Sequence, residues 1–200
     1  MEKYEYNKVT KQSDWRTQMS KYKCGLYIGR FQPIHIGHES IIRKMLDECD
    51  QVIIVVGSAQ ESGTERNPFT FEQRADLITN VFYQYVIAGR MSVIPLRDRE
   101  KPSNDASWGD YVFQNVWDLT HRVPDVVYEG EENERSTWYD NLDVEVIRAP
   151  RTHIPVSATE LREGLVGRIS QILTVEQMVP VAIRYRMKEM RRVIQDANKN

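Results

Sequence analysis

Residues 24–49 read CGLYIGRFQPIHIGHESIIRKMLDEC. The first six are β-rich and end at Gly29. From about Gly37 to Cys49 the apolar residues Ile41, Ile42, Met45, Leu46 and Cys49 recur at helical spacing. Between strand and helix lies GRFQPIHIGH (29–38). Gly29 lets the backbone turn closely, Pro33 stiffens the connection, and Gly37 permits a ligand to approach the helix N-terminus. Unpaired N–H groups and a partial positive charge make that terminus a ready anion site. Arg30, His35 and His38 add further donors around it.

The same alternation continues along the chain. VIIVVGS (52–58) is a continuous apolar run, as expected of a strand covered on both faces. Thr70 with Gln73 forms a capping box opening a helix to about Phe82 that buries Leu77, Ile78 and Val81. MSVIPL (91–96) is the third strand. A helix over 107–120 carries Trp108, Tyr111, Val112, Val116 and Leu119 on one side. DVVYEG (125–130) and DVEVIRA (143–149) are two more strands, separated by a polar segment that can be helical. Ser157 starts a helix to about Leu165. Pro180 stands in the first turn of a last helix with Val179, Ile183, Met187, Met190 and Ile194 as its stripe. Five strands alternating with helices imply a three-layer, Rossmann-like α/β fold with a mainly parallel five-stranded sheet. Ligands are then expected beyond the carboxyl ends of the strands. Residues 1–22 read as an N-terminal arm and 23–200 as one domain.

Composition narrows the function. Across 200 residues, 27 Lys and Arg stand against 29 Asp and Glu, for a net charge of −2. That balance argues against wholesale binding to nucleic acid or an anionic membrane. The basic run Arg184, Arg186, Lys188, Arg191 and Arg192 reads as a solvated face. No run approaches the roughly 20 apolar residues of a membrane span, and the polar N-terminus lacks a signal-peptide core. Two cysteines, Cys24 and Cys49, without CxxC spacing, read as free thiols of a reducing cytosol.

His35 and His38 are half of the four histidines in the chain. Three apart at a helical first turn, they can point into one pocket, although zinc ligands or loop-surface histidines are also possible. Phosphoryl chemistry asks for preorganised donors of this kind around the phosphate oxygens. GRFQPIHIGH resembles the HxGH signature of the adenylyl- and cytidylyltransferase superfamily, whose histidines stabilise the pentavalent α-phosphate. VSATELR (156–162) is similar to that superfamily's ISxTxxR motif, which binds the β- and γ-phosphates. The resemblance makes Ser157 and Thr159 hydroxyl donors and Arg162 the cation. On its own, Ser157 is an ordinary N-cap and Arg162 a solvated helix residue.

GSAQESGTERNPFTFEQR (57–74) resembles the GSAQ…NPFT…ER segment of the archaeal-type nicotinamide-mononucleotide adenylyltransferases, as GRFQPIH does their GRFQPFH. The likeness spans roughly residues 24–195. It implies that Gly29, Phe31, Gln32, Gly37, Arg66, Gly130, Ser157 and Thr159 bind ATP. Catalysis is implied for His35, His38, Arg30 and Arg162. Nicotinamide mononucleotide is implied to meet Ser58, Asp98 and Trp108. Asp98 would bond the amide or position its loop. Trp108 would stack on the pyridine ring, though it also reads as a helix-core residue. Glu129 and Glu131 replace the family's Ser and Asn, and Gly63 its His. The implied reaction joins AMP from ATP to the mononucleotide, giving NAD and pyrophosphate. Mg²⁺ would arrive with ATP, no protein metal ligands are implied, and relatives of this type form homo-oligomers. The alternatives are a sister enzyme using nicotinate mononucleotide or pantetheine phosphate, a non-catalytic NAD sensor, and a nucleic-acid binder.

Overall fold

Strand β1 (Tyr22–Gly29) takes the centre of the sheet, and from Cys24 to Tyr27 it is buried on both faces. Leu26 faces one layer and Tyr27 the other. In a computed structural model, residues 20–99, 106–130, 138–149, 156–167 and 174–199 are described. The chain proceeds through α1 (Ile36–Glu48), β2 (Cys49–Val56), α2 (Phe71–Val81), α3 (Tyr83–Ile87) and β3 (Met91–Pro95). Then come α4 (Ala106–Thr120), β4 (Val126–Gly130), β5 (Glu145–Ala149), α5 (Ala158–Leu165) and α6 (Val175–Met178). A 3₁₀ helix (Val181–Arg186) and α7 (Met187–Ala197) complete it.

The five strands are ordered β3-β2-β1-β4-β5 and every pairing is parallel. The sheet is therefore wholly parallel, as the unbroken apolar run of β2 anticipates. After β3 the chain crosses to the other side of β1. The sheet order thus reverses between β1 and β4, and a crevice opens there beyond the carboxyl ends. On one face, Ile41, Ile42 and Met45 of α1 and Leu77 and Ile78 of α2 pack against Ile54, Val56 and Tyr128. On the other, Val112 and Val116 of α4 pack against Leu26, Ile53 and Val127.

Four expectations are adjusted. β1 begins at Tyr22, one residue inside the expected arm; residues 1–19 lie outside the described residues. Leu119, expected on the buried side of α4, is 51% exposed. It follows the last turn whose side chains reach the sheet, Val112 and Val116. Pro180 does not open the last helix. It caps the 3₁₀ helix instead, and α7 starts at Met187. The apolar stripe survives because Ile183, Met190 and Ile194 are all buried. Between β4 and β5, residues 138–143 form turns rather than a helix, and 131–137 lie outside the described residues.

Candidate functional site

The turn from β1 into α1 is held by its own histidines. His35 is the N-cap of α1, and its Nδ1 accepts from the Gly37 N–H at 3.1 Å. His38 Nδ1 accepts from the His35 N–H at 3.3 Å. Two imidazoles thus form the reciprocal capping box that Ser or Thr and Glu or Gln usually make. They stack with ring centroids 3.7 Å apart. Because each Nδ1 accepts, the neutral ring carries its proton on Nε2, and that nitrogen is a donor. Phe31 backs the pair, its ring buried and 4.7 Å from that of His38. Phe31, expected among the ATP contacts, thus gives its ring to the core.

The second motif meets the first directly. Arg162, on α5, donates from Nη1 to the Gln32 carbonyl at 2.8 Å, across 130 residues of chain. Its Nη2 donates to Thr159 Oγ1 at 3.2 Å. Ser157 caps α5, accepting from the Glu160 N–H at 3.1 Å. A cavity of about 420 Å³ results, lined by Gly29 to Gln32, His35, His38, Ser157, Thr159 and Arg162. A neighbouring cavity of about 270 Å³ shares Thr159 and Arg162 and adds Arg66. Among the described residues no ion pair reaches Arg30, Arg66 or Arg162. Arg162 is lowered below the usual guanidinium value by burial and by the charge of Arg30. Desolvation and the charge of Arg66 lower Arg30 in turn. Mutual repulsion of this kind is relieved by a polyanion seated among the three.

Ser58 and Asp98 come together on the far side of β1. The turn after β2 is anchored by the Gly57 N–H on the Gly29 carbonyl at 2.9 Å. Ser58 Oγ donates to Asp98 Oδ1 at 3.2 Å, and Gln60 Nε2 to Asp98 Oδ2 at 3.0 Å. The Asp98 N–H returns a bond to Gln60 Oε1 at 3.0 Å. Asp98 therefore ties the segment after β3 to the turn after β2. Nothing local in GSAQ links Gln60 to this partner 38 residues on. Trp108 occupies the first turn of α4, half-buried against Tyr111 with centroids 5.4 Å apart. Tyr111 ties that turn to the segment after β3, its hydroxyl donating to the Arg97 carbonyl at 3.0 Å.

Gln32 needs a different reading. Its side chain is buried, accepts from the Phe69 N–H at 2.9 Å and donates to the Phe69 carbonyl at 3.0 Å. Both halves of the amide are spent clamping the 67–70 loop, so what it offers the cavity is backbone. Gly37 likewise acts through its N–H in the cap. Gly130 ends β4 at the crevice. Its neighbour Glu129 is engaged by Arg148 Nε at 2.7 Å and the Tyr139 hydroxyl at 3.0 Å. Glu131 lies outside the described residues. Gly63 has φ +69°, a left-handed backbone that favours glycine over the family's His. Arg74, unassigned by the sequence, is completely buried beneath both halves of the site. Of the basic run near the end, Arg184, Arg186 and Arg191 donate within the protein, to Val179, to Asp76 and Glu189, and to Leu165.

Comparison with known proteins agrees with this geometry. A cytidylyltransferase-like family model matches residues 26–186. A nicotinamide-nucleotide adenylyltransferase of Thermococcus onnurineus is 33% identical over 172 residues, 86% of this chain and 85% of that protein. Its counterpart in Pyrococcus furiosus is 31% identical, covering 86% of each. Among solved structures, a bifunctional NMN adenylyltransferase/ADP ribose pyrophosphatase of Francisella tularensis, complexed with AMP and a manganese ion, superposes with a TM-score of 0.64 at 22% identity. That likeness covers 89% of this chain and 53% of the bifunctional one, so this chain spans about half its length.

Proposed function

Since the chain belongs to the cytidylyltransferase-like family and, within it, to the nicotinamide-nucleotide adenylyltransferases, we propose that it transfers AMP from ATP to nicotinamide mononucleotide, releasing pyrophosphate and forming NAD. One observation carries the reading: Arg162 bonds the Gln32 carbonyl, so the imidazole turn and the hydroxyl–guanidinium helix close on a single cavity.

In the proposed reaction a 5′-phosphate oxygen of the mononucleotide attacks the α-phosphorus of ATP. The bond from that phosphorus to the bridging oxygen of the β-phosphate breaks, and pyrophosphate leaves with the electron pair. No covalent enzyme intermediate is needed. His35 and His38 donate from Nε2 to the phosphate oxygens on which charge develops. Arg30, Arg66 and Arg162 hold the triphosphate and orient the leaving group. Among the described residues no group of three His, Cys, Asp or Glu side chains is placed to hold a metal ion. Mg²⁺ would enter with ATP as part of the substrate and would offset the charge of its phosphates. Ser58, Asp98 and Trp108 receive the mononucleotide, with Asp98 held in place by Gln60.

A product assay tests this. Purified protein with ATP, Mg²⁺ and nicotinamide mononucleotide is expected to yield one NAD and one pyrophosphate per turnover, identified by mass. Preferential use of nicotinate mononucleotide or pantetheine phosphate would reassign the acceptor. Tight NAD binding without pyrophosphate release would make the chain a sensor. We further expect a homo-oligomer in a reducing cytoplasm. Trp117, Leu119 and Val123 expose apolar surface at one end of α4, and both cysteines are unpaired. No helix among the described residues is long and apolar enough to cross a membrane. Light scattering on the purified protein gives the assembly state.

A further inference from the structure

Arg74 is the largest side chain wholly buried among the described residues, and no carboxylate there forms an ion pair with it. A buried charge is costly unless its hydrogen-bonding capacity is met. Here backbone carbonyls meet it. Nη1 donates to Arg30 at 2.9 Å and to Gly57 at 2.8 Å. Nη2 donates to Ser58 at 3.1 Å, and Nε to Thr70 at 3.2 Å.

The choice of carbonyls is informative. Arg30 and Gly57 immediately precede Phe31 and Ser58, which have φ of 50° and 47°. Left-handed backbone is unfavourable for such residues and persists only where the surroundings impose it. Fixing the carbonyl of one residue fixes the peptide plane that enters the next. One guanidinium therefore sets both turns, at the carboxyl ends of β1 and β2. The first carries Phe31, against which His38 packs, and the second carries Ser58, which bonds Asp98. Thr70, the third point, caps α2 and so fixes the loop that brings Arg66 to the cavity. Burial lowers Arg74 to about 10, which leaves it charged at neutral pH.

We propose that Arg74 is the positioning residue that locks the phosphate half and the acceptor half of the site into one geometry, through the left-handed turns at Phe31 and Ser58. It touches no substrate. The proposal rests on the adenylyltransferase reading for its kinetic consequence, though not for its structural one. The planar fork of arginine reaches several carbonyls at once, and the ammonium of lysine cannot reproduce that arrangement.

Arg74→Lys is the test, with Leu77→Ala as the control: Leu77 is buried in the same helix but packs into the core. Both are assayed well below their melting temperatures. Displacements of about 1 Å can cost about 10²-fold. Arg74→Lys is therefore expected to lose about 10²-fold in kcat/KM for ATP and for nicotinamide mononucleotide alike. NAD affinity by calorimetry should fall at least about tenfold. Leu77→Ala should keep kcat while melting lower. Backbone amide spectra add a readout independent of the reaction. In Arg74→Lys the resonances of Phe31 and Ser58 should shift together, and in Leu77→Ala neither should. If Arg74→Lys folds poorly, Arg74→Ala supplied with free guanidinium should regain activity that methylammonium does not restore. Wild-type kinetics and NAD affinity in Arg74→Lys, or shifts confined to one turn, would overturn the proposal. A wild-type protein that makes no NAD would overturn the functional reading alone, and the spectra would still decide the role of Arg74.

Discussion

The two ends of the parallel sheet are built on opposite principles. At the amino end, several side chains are matched to partners within the protein. Asp125 accepts from the Lys23 and Cys24 N–H groups at 2.8 and 2.9 Å, which closes the start of β1. Tyr128 donates to Glu48, Tyr22 to Glu145, and Arg90 to the Leu46 and Cys49 carbonyls. At the carboxyl end, burial and the charge of Arg66 lower Arg30, and burial and the charge of Arg30 lower Arg162, beside two neighbouring cavities. Phe31 and Ser58 sit in left-handed conformations there, and a buried cation holds them. One end is closed by bonds within the protein, and the other keeps three guanidinium groups that no ion pair reaches among the described residues. Helix α1 begins at the carboxyl end of the sheet, so its N–H dipoles add to the same positive field.

This contrast predicts that substitutions at the carboxyl end change rate, while those at the amino end change stability. The largest effect is expected for His38→Ala, a fall of about 10²–10³ in kcat by steady-state assay, the range of a lost oxyanion donor. Unchanged turnover would remove His38 from the mechanism. Arg162→Ala should follow, with kcat/KM for ATP down about 10- to 10²-fold, because charged hydrogen bonds are worth about 1.5–3 kcal/mol. At the other end, Asp125→Ala leaves two strand N–H groups without their partner and should cost about 1–3 kcal/mol in denaturant unfolding. Its kcat should match wild type; a clear loss of turnover would break the division between the two ends. Trp108→Ala should raise KM for the mononucleotide about threefold to tenfold and leave KM for ATP alone, since an aromatic stack contributes about 0.5–1.5 kcal/mol. The smallest effect concerns the thiols. Burial pushes Cys24 up to about 12 and Cys49 up to about 11, so little thiolate exists at pH 8. Folded protein should resist iodoacetamide by mass spectrometry, and rapid labelling would mean that the amino end opens readily.

Features with a local cause were legible in the chain. The capping box at Thr70 with Gln73 and the N-cap at Ser157 are local, and the structure adds Glu160 as the reciprocal partner of Ser157. The unbroken apolar run of β2 announced a strand buried on both faces. The start of the last helix is not legible, because Pro180 is compatible with any helical first turn and the 3₁₀ geometry of 181–186 leaves the apolar spacing nearly unchanged. The family resemblance implies an ATP contact for Gln32; its bonds to Phe69, 37 residues away, are legible only in the fold. Arg74 draws no role from the sequence, because the carbonyls of Arg30, Gly57 and Ser58 that it meets lie 44, 17 and 16 residues away.

Family resemblance makes the motifs GRFQPIHIGH and VSATELR legible; by itself the sequence determined the alternation of strands and helices and the helix starts at Thr70 and Ser157. Hydrogen bonds and periodicities spanning three or four residues carry that information. Only the tertiary structure decided the strand order, the bond between Arg162 and Gln32, and the burial of Arg74 under two left-handed turns. Those depend on which distant carbonyls the crossovers bring within 3 Å of a guanidinium, and no local spacing encodes that distance.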